Sequence, residues 1–172
     1  MFQNSEIVID DLPTMENLEW QQLHPKFLRR IQAQKTLVAL VFLAGLTILT
    51  VLLKIPLLQT VLLWLLVGSV AIVYVAWPII AVPRRGYVVR HKDIVFRSGV
   101  VWRSVTAVPF NRVQHVETSS TPLDRKFGLT KLEIFTAGGV GGDLTISGLG
   151  ADIAEQLRVY ILGKVGARVE SA

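Results

Sequence analysis

From Leu37 to Val82 the chain runs for 46 residues with a single charge, Lys54. A helix crosses the hydrocarbon core of a bilayer in about 20 apolar residues, with a range of ~17–25. The stretch is too long for one crossing and long enough for two. Lys54-Ile55-Pro56 divides it, because proline removes a helix N–H and clashes with the preceding turn. The first span falls at residues 36–53 and the second at 57–82, which is long enough to tilt. Trp64, Tyr74 and Trp77 lie on the second span. Trp77 sits near its end, where aromatic rings favour the headgroup boundary. Pro78 is expected to kink or end that helix. Buried helices of soluble proteins carry a polar stripe, and these two do not. A cleaved signal peptide does not fit either, since the first apolar run begins behind an acidic leader.

Composition agrees. Of 172 residues, 51% are hydrophobic and 18% charged, against about 25% charged in an ordinary soluble domain. That excludes a disordered chain. There is no cysteine, so disulfides, thiol catalysis, cysteine-ligated zinc and iron–sulfur clusters are excluded. The net charge of +5 is unevenly placed: residues 1–22 hold five acids and no base.

Two spans put both flanks on one side. Lys26, Arg29, Arg30 and Lys35 precede the first. Arg84, Arg85, Arg90, Lys92 and Arg97 follow the second, and the hairpin loop has only Lys54. The positive-inside rule then places both termini in the cytoplasm, with the hairpin in the cell membrane. Lys26, Arg29, Arg30, Lys35 and Trp77 become the expected interfacial anchors. The basic excess is assigned to anionic lipid headgroups, at about 1 kcal/mol per residue near the surface, and not to nucleic acid. Neither span holds an ionisable residue at depth, as ion pumps require, and small-xxx-small spacing is missing. The hairpin reads as an anchor.

The chain thus divides into an acidic segment (1–22), a basic juxtamembrane segment (23–35), the two spans, a folded domain (84–165) and a tail (166–172). The domain reads as strands and then a helix. Tyr87–Arg90 and Ile94–Arg97 form a tight hairpin, and Ser98-Gly99 turns into a strand over Val100–Val108. Val113–Ser119 is a strand with Val113, His115 and Glu117 on one face. Thr121–Gly128 is a loop with room for a helical turn. Thr130–Thr136 alternates with Leu132 and Ile134 on one face. A glycine-rich turn leads to a short strand at Asp143–Ile146. From Gly150 the period changes: Ile153, Leu157 and Ile161, with Tyr160 alongside, form a helical stripe that Gly163 would end. About seven short strands plus one amphipathic helix predict a curved antiparallel sheet or barrel closed by a C-terminal helix.

Several segments carry a resemblance. In order they are Leu23-His24-Pro25-Lys26, two spans, Arg97-Ser98-Gly99-Val100, Val108-Pro109-Phe110-Asn111-Arg112-Val113-Gln114-His115-Val116, Pro122-Leu123-Asp124-Arg125-Lys126-Phe127-Gly128-Leu129, Thr136-Ala137-Gly138-Gly139 and Ser147-Gly148-Leu149. The sequence resembles the YdbS-like family of bacterial membrane proteins with a pleckstrin-homology (PH)-like domain. The resemblance runs from about Leu23 to the C-terminal helix and omits the acidic leader. It implies the PH superfold, a bent antiparallel α+β sheet plugged by a helix. It also implies a membrane-bound scaffold working beside a larger protein with several such domains. It brings no catalytic residue and no cofactor.

Other segments offer candidate sites. Gly138–Gly142 could cradle a phosphate through backbone N–H groups, but a dinucleotide loop opens a helix and this one joins two strands, so it reads as a flexible turn. His24, His91 and His115 lack metal-binding spacing and read as packed or exposed side chains. No Gly-x-Ser-x-Gly occurs, and nothing brings Asp124, Glu133 and Asp143 together. Arg125-Lys126-Phe127 offers a lipid or partner contact, or a loop held by Phe127 with solvated bases. Arg112 and Gln114 form either a structural network or a partner-facing patch. With Arg84 and Arg85 these make the candidate lipid and partner residues. The expected function is a non-enzymatic scaffold whose open sheet edges accept a partner strand. The alternative is an anionic-lipid sensor, and more remotely a subunit of a transporter or enzyme complex. A homo-oligomer is a further assembly open to it.

Overall fold

The computed structural model describes residues 18–137 and 143–169. The glycine-rich turn at Gly138–Gly142, most of the acidic segment and the end of the tail lie outside them. Helices α1 (Lys26–Leu52) and α2 (Leu57–Ala81) form the hairpin. Their apolar side chains point outward with no protein over them, Phe42, Leu58 and Ile72 among them, as lipid-facing residues should. Helix α1 ends in a Schellman turn: Ile55 N–H donates to the Thr50 carbonyl and Lys54 N–H to the Val51 carbonyl, both at 3.2 Å. Lys54 takes the left-handed position, φ 49°, that glycine usually fills.

Pro78 does not end α2, which continues to Ala81. A proline at 78 leaves the Tyr74 carbonyl without its i+4 N–H donor, a serious loss near a bilayer. Lys35 of α1 replaces it: Nζ donates to the Tyr74 carbonyl at 3.1 Å and lies 4.3 Å from the centre of the Tyr74 ring. Lys35 therefore ties the two helices together at the level expected for a headgroup anchor. Lys35→Met should destabilise the hairpin by about 1.5–3 kcal/mol, the usual worth of a hydrogen bond to a charged group. In a Pro78→Ala background, where the backbone can satisfy Tyr74 itself, the loss should be clearly smaller. Equal losses in both backgrounds, measured by unfolding in bilayer mimics, would reject the pairing.

The remaining chain makes two antiparallel sheets. The first has the order β1 (Gln21–Gln22), β2 (Gly86–Val89), β3 (Asp93–Ser98), β4 (Ser104–Pro109). The second has β5 (Val113–Ser119), β6 (Leu129–Thr136), β7 (Leu144–Gly150). Helix α3 (Pro122–Phe127) joins β5 to β6, and α4 (Ala151–Val169) packs across the second sheet. Ile94, Leu132, Ile134, Ile146, Leu149 and Ile161 form the fully buried centre. This is the expected bent sheet closed by a C-terminal helix, joined to a membrane hairpin.

Five local expectations change. The strand expected over Val100–Val108 begins only at Ser104, because Gly99–Arg103 forms a loop. In β5 the pairing slips between Val113 and His115, leaving Gln114 as an extra residue. That bulge resets the two-residue alternation, so Val113 and Val116 both face the core while His115 and Glu117 are exposed. Strand β7 does not stop at Ile146 but runs to Gly150, passing through Gly148 at φ +85°. Thr121–Gly128 holds a true helix. Thr121 accepts from Asp124 N–H, Pro122 opens the first turn, and Gly128 closes it at φ +68°. Finally, α4 passes through Gly163 to Val169. It buries Ala154 and Ile161 fully and Leu157 partly, whereas Ile153 is 44% exposed.

The candidate membrane-facing site

The acidic segment's last residues and the first turns of α1 belong to the folded domain. Gln21 and Gln22 pair with Tyr87 and Gly86, which closes the outer edge of β2. His24 N–H donates to the Gly148 carbonyl on β7 at 2.9 Å. Leu23, Phe27 and Ile31 recur at helical spacing. Leu23 and Phe27 are buried, and Ile31 packs against the same core. Gly148 permits this: a Cβ there would stand 2.3–2.6 Å from the Phe27 ring. Residues 23–35 are thus not a free juxtamembrane stretch. They are the root by which the first membrane helix grows out of the domain.

Beside this root lies a cleft of about 420 Å³ between α1, the end of α2 and the second sheet. Arg30, Arg85 and Lys131 enter it, with the hydroxyls of Ser119, Ser120 and Thr121 and the carboxylate of Asp124. Arg30 Nε donates to Asp124 Oδ1 at 2.6 Å, and both side chains are largely buried. Asp124 Oδ2 accepts from Thr121 N–H (3.1 Å) and Thr121 Oγ1 (2.6 Å), completing a reciprocal cap on α3. Lys131 pairs with Glu133 at 2.9 Å. Asp124 is held by Arg30 and Thr121, and Ser119 Oγ donates to Glu133 at 3.4 Å, so what the cleft offers an anion such as a phosphate group is Arg85 and the Ser120 hydroxyl.

Burial alone would push the Asp124 carboxyl upward. The hydrogen bonds from Thr121 and the Arg30 guanidinium outweigh it and hold the group below the usual carboxylate range. A carboxylate depressed on folding stabilises the fold above its unfolded value of ~3.9 and loses that contribution as pH falls through the folded value. Wild type should therefore exceed Asp124→Asn in stability by about 1–2 kcal/mol near neutrality, and the gap should close in acid. A gap that persists unchanged below pH ~3 in thermal unfolding of the solubilised protein would show that the charge is not what matters.

The expected site residues distribute as follows. Arg30 and Arg85 meet at the cleft. Arg30 bonds inward to Asp124, so as a headgroup anchor it has a competing partner. Lys26 and Arg29 are exposed on the outer side of α1. Arg125 and Lys126 are exposed on α3, and Phe127 packs against the core. Arg84 lies apart, beside Arg97 and Arg103. Arg112 and Gln114 are exposed, Gln114 at the bulge. Trp77 is exposed near the end of α2. Asp124, Glu133 and Asp143 do not pair: Asp143 accepts from Thr136 N–H and Oγ1 at 2.6 Å. His24 Nδ1 accepts from Lys26 N–H, His91 is exposed, and His115 lies against Phe135. Sequence reasoning missed the role of Phe27, Ser119, Ser120 and Lys131. The readable signal was the apolar spacing Leu23, Phe27, Ile31 continuing into the span.

A membrane hairpin rooted in two antiparallel sheets closed by a helix defines a transmembrane PH-like protein. The family model for the bacterial PH domain matches residues 26–165, and the chain belongs to that family. The transmembrane protein YdbS of Bacillus subtilis (strain 168) is 36% identical over 95 residues, which cover 55% of this chain and 57% of that protein. The chain thus spans little more than half the length of that relative. No solved structure matches it. The YdbS-like resemblance and the membrane location stand on these findings.

Proposed function

We propose that this protein is a non-enzymatic scaffold that holds its PH-like domain in fixed orientation at the cytoplasmic face of the cell membrane and there assembles with other membrane proteins. The observation that carries this reading is the rooting of α1 in the domain core through Leu23, Phe27 and the Arg30–Asp124 pair. A flexible tether would serve recruitment alone; a buried root fixes geometry. β1 closes the β2 edge, whereas β4 ends its sheet with no strand on its outer side among the described residues. That edge is where a partner strand would add. A larger PH-like membrane protein is the partner the family resemblance suggests, with a second copy of this chain as the other.

A photo-reactive residue at Ala107 on β4, activated in native membranes, should give discrete protein adducts that the same residue at Arg125 does not. Lipid adducts alone at Ala107 would end the scaffold reading. For orientation, cysteines at Pro56 and Ser171 suit this cysteine-free chain. An impermeant thiol reagent should label Pro56 in intact cells and spare Ser171, and the reverse pattern would refute a cytoplasmic domain.

The cleft favours a second reading, direct capture of an anionic headgroup by Arg85 and the Ser120 hydroxyl. Arg85→Gln should then lower the share of phosphatidylglycerol retained by protein purified from mixed phosphatidylglycerol and phosphatidylcholine bilayers, and added salt should mimic it.

A further inference from the structure

The loop joining β3 to β4, Gly99–Arg103, carries the most exposed large apolar side chain among the described residues. Trp102 is 87% exposed and Val101 68%. With Trp77, which lines the same cleft, these side chains make a contiguous apolar patch, and such a patch marks an interaction surface. The loop does not point away from the membrane. It shares a cleft of about 330 Å³ with Trp77, Ala81 and Arg85, at the end of α2 where that helix leaves the bilayer. On its other flank a cleft of about 290 Å³ is lined by Arg84, Arg97 and Arg103, with no acid among its lining residues. An apolar tip between cations, level with the end of a membrane helix, matches the order of a leaflet: acyl boundary inside, phosphates outside. The tip is also held in shape. Gly99 has φ +102°, and a Cβ there would stand 1.7 Å from the Trp102 carbonyl oxygen.

We propose that Val101 and Trp102 insert into the interfacial layer of the leaflet in which α2 ends, with Arg84 and Arg103 at the phosphates. The domain then has three attachments to the bilayer: α1, α2 and this loop. The root fixes the domain to the hairpin, but hairpin and domain can still tilt together in the bilayer, and a third point of contact removes that freedom. The occupant of the surface is the bilayer, as its continuity with the exit of α2 and the surrounding positive charge require. This contact does not depend on which face of the membrane the domain occupies, nor on the scaffold reading.

The chain has no cysteine, so Val101→Cys can carry an environment-sensitive NBD probe while Trp102 is kept. The full-length protein goes into nanodiscs of phosphatidylcholine and phosphatidylglycerol containing lipids spin-labelled high on the acyl chain. Ile79→Cys on α2 serves as the membrane reference and His91→Cys in the β2–β3 turn as the aqueous one. The expected result is blue-shifted emission at Val101→Cys, quenched by spin-labelled lipid to an extent close to that of Ile79→Cys. Adding Trp102→Ser should weaken the quenching several-fold without changing that at Ile79→Cys. Water-like, unquenched emission resembling His91→Cys would overturn the proposal. So would blue-shifted emission that lipid does not quench, because protein, from a second copy or another partner, would then cover the loop.

Discussion

Gly148→Ala should destabilise the PH-like domain by about 2–5 kcal/mol, a large share of the ~5–15 kcal/mol that holds a small domain folded. Two separate costs converge on one methyl group. Gly148 has φ +85°, where an L-residue loses about 1–2 kcal/mol. Its new Cβ would also stand 2.3 Å from the buried Phe27 ring, and overpacking of that kind costs typically 1–3 kcal/mol. Phe27→Ala alone should cost about 3–5 kcal/mol by leaving a cavity. Removing the ring, however, also removes the obstacle to a methyl group at position 148. The double variant should therefore be more stable than the sum of the singles requires, by about the overpacking term. For a domain of this size each kcal/mol moves the midpoint by about 4–8 °C, so the cycle is readable by thermal unfolding in detergent. Strict additivity would mean that the root of α1 does not touch β7 in solution.

The consequence reaches the membrane. Phe27 sits in the first turn of a helix that becomes the first span without interruption. Loosening the Phe27–Gly148 contact, or the Arg30–Asp124 pair beyond it, would turn a rooted domain into a tethered one while the hairpin stayed inserted. Fractionation would register nothing, but orientation-sensitive readouts such as the loop probe at residue 101 would.

Much of this was legible in the chain because the signals were local. Two apolar runs split at Lys54-Ile55-Pro56 give a hairpin by length alone. Alternation at Leu132 and Ile134 gives β6 and its buried face. What stayed hidden depends on contacts distant in sequence. Strand β1 is two glutamines, with no apolar pattern of its own, and exists because β2, at Gly86 and Tyr87, offers it an edge. Strand β7 reads as ending before Gly148 until Phe27 is placed against that glycine, where a Cβ would collide with the ring. The Gln114 bulge shifts the faces of β5 by one, and no periodicity announces an inserted residue. Thr121-Pro122 with Asp124 and Gly128 did carry a complete helix signature, short enough to pass for a loop. The candidate cleft was the least legible feature, since Arg30 lies on α1, Arg85 between α2 and β2, and Lys131 on β6. The clustering of Arg30 and Arg85 near the span ends was readable, but their convergence on one cleft was not.

The phase of α4 offers the sharpest remaining contrast. Ile153 and Ile161 are eight residues apart on one helix, and the sequence places both on the apolar stripe. In the structure Ile161 is fully buried and Ile153 is 44% exposed, because the stripe that meets the core is Ala154, Leu157, Ile161 and Val165. Ile161→Asp should then cost several kcal/mol, since it sets an unpaired carboxylate among apolar side chains, and should largely unfold the domain. Ile153→Asp should be neutral or slightly stabilising. It adds a negative charge in the first turn of α4, beside Asp152, where the helix dipole favours one by about 0.3–1 kcal/mol. pH gives a second handle. A carboxyl buried at position 161 has its folded value raised, so its penalty is full above that value and shrinks as pH falls and the group is neutralised. Measured against wild type at each pH, Ile161→Asp should partly recover in mild acid, while Ile161→Asn, which cannot take up a proton, should not. Comparable protease resistance of Ile153→Asp and Ile161→Asp at neutral pH would overturn the phase, and with it the way α4 closes the second sheet.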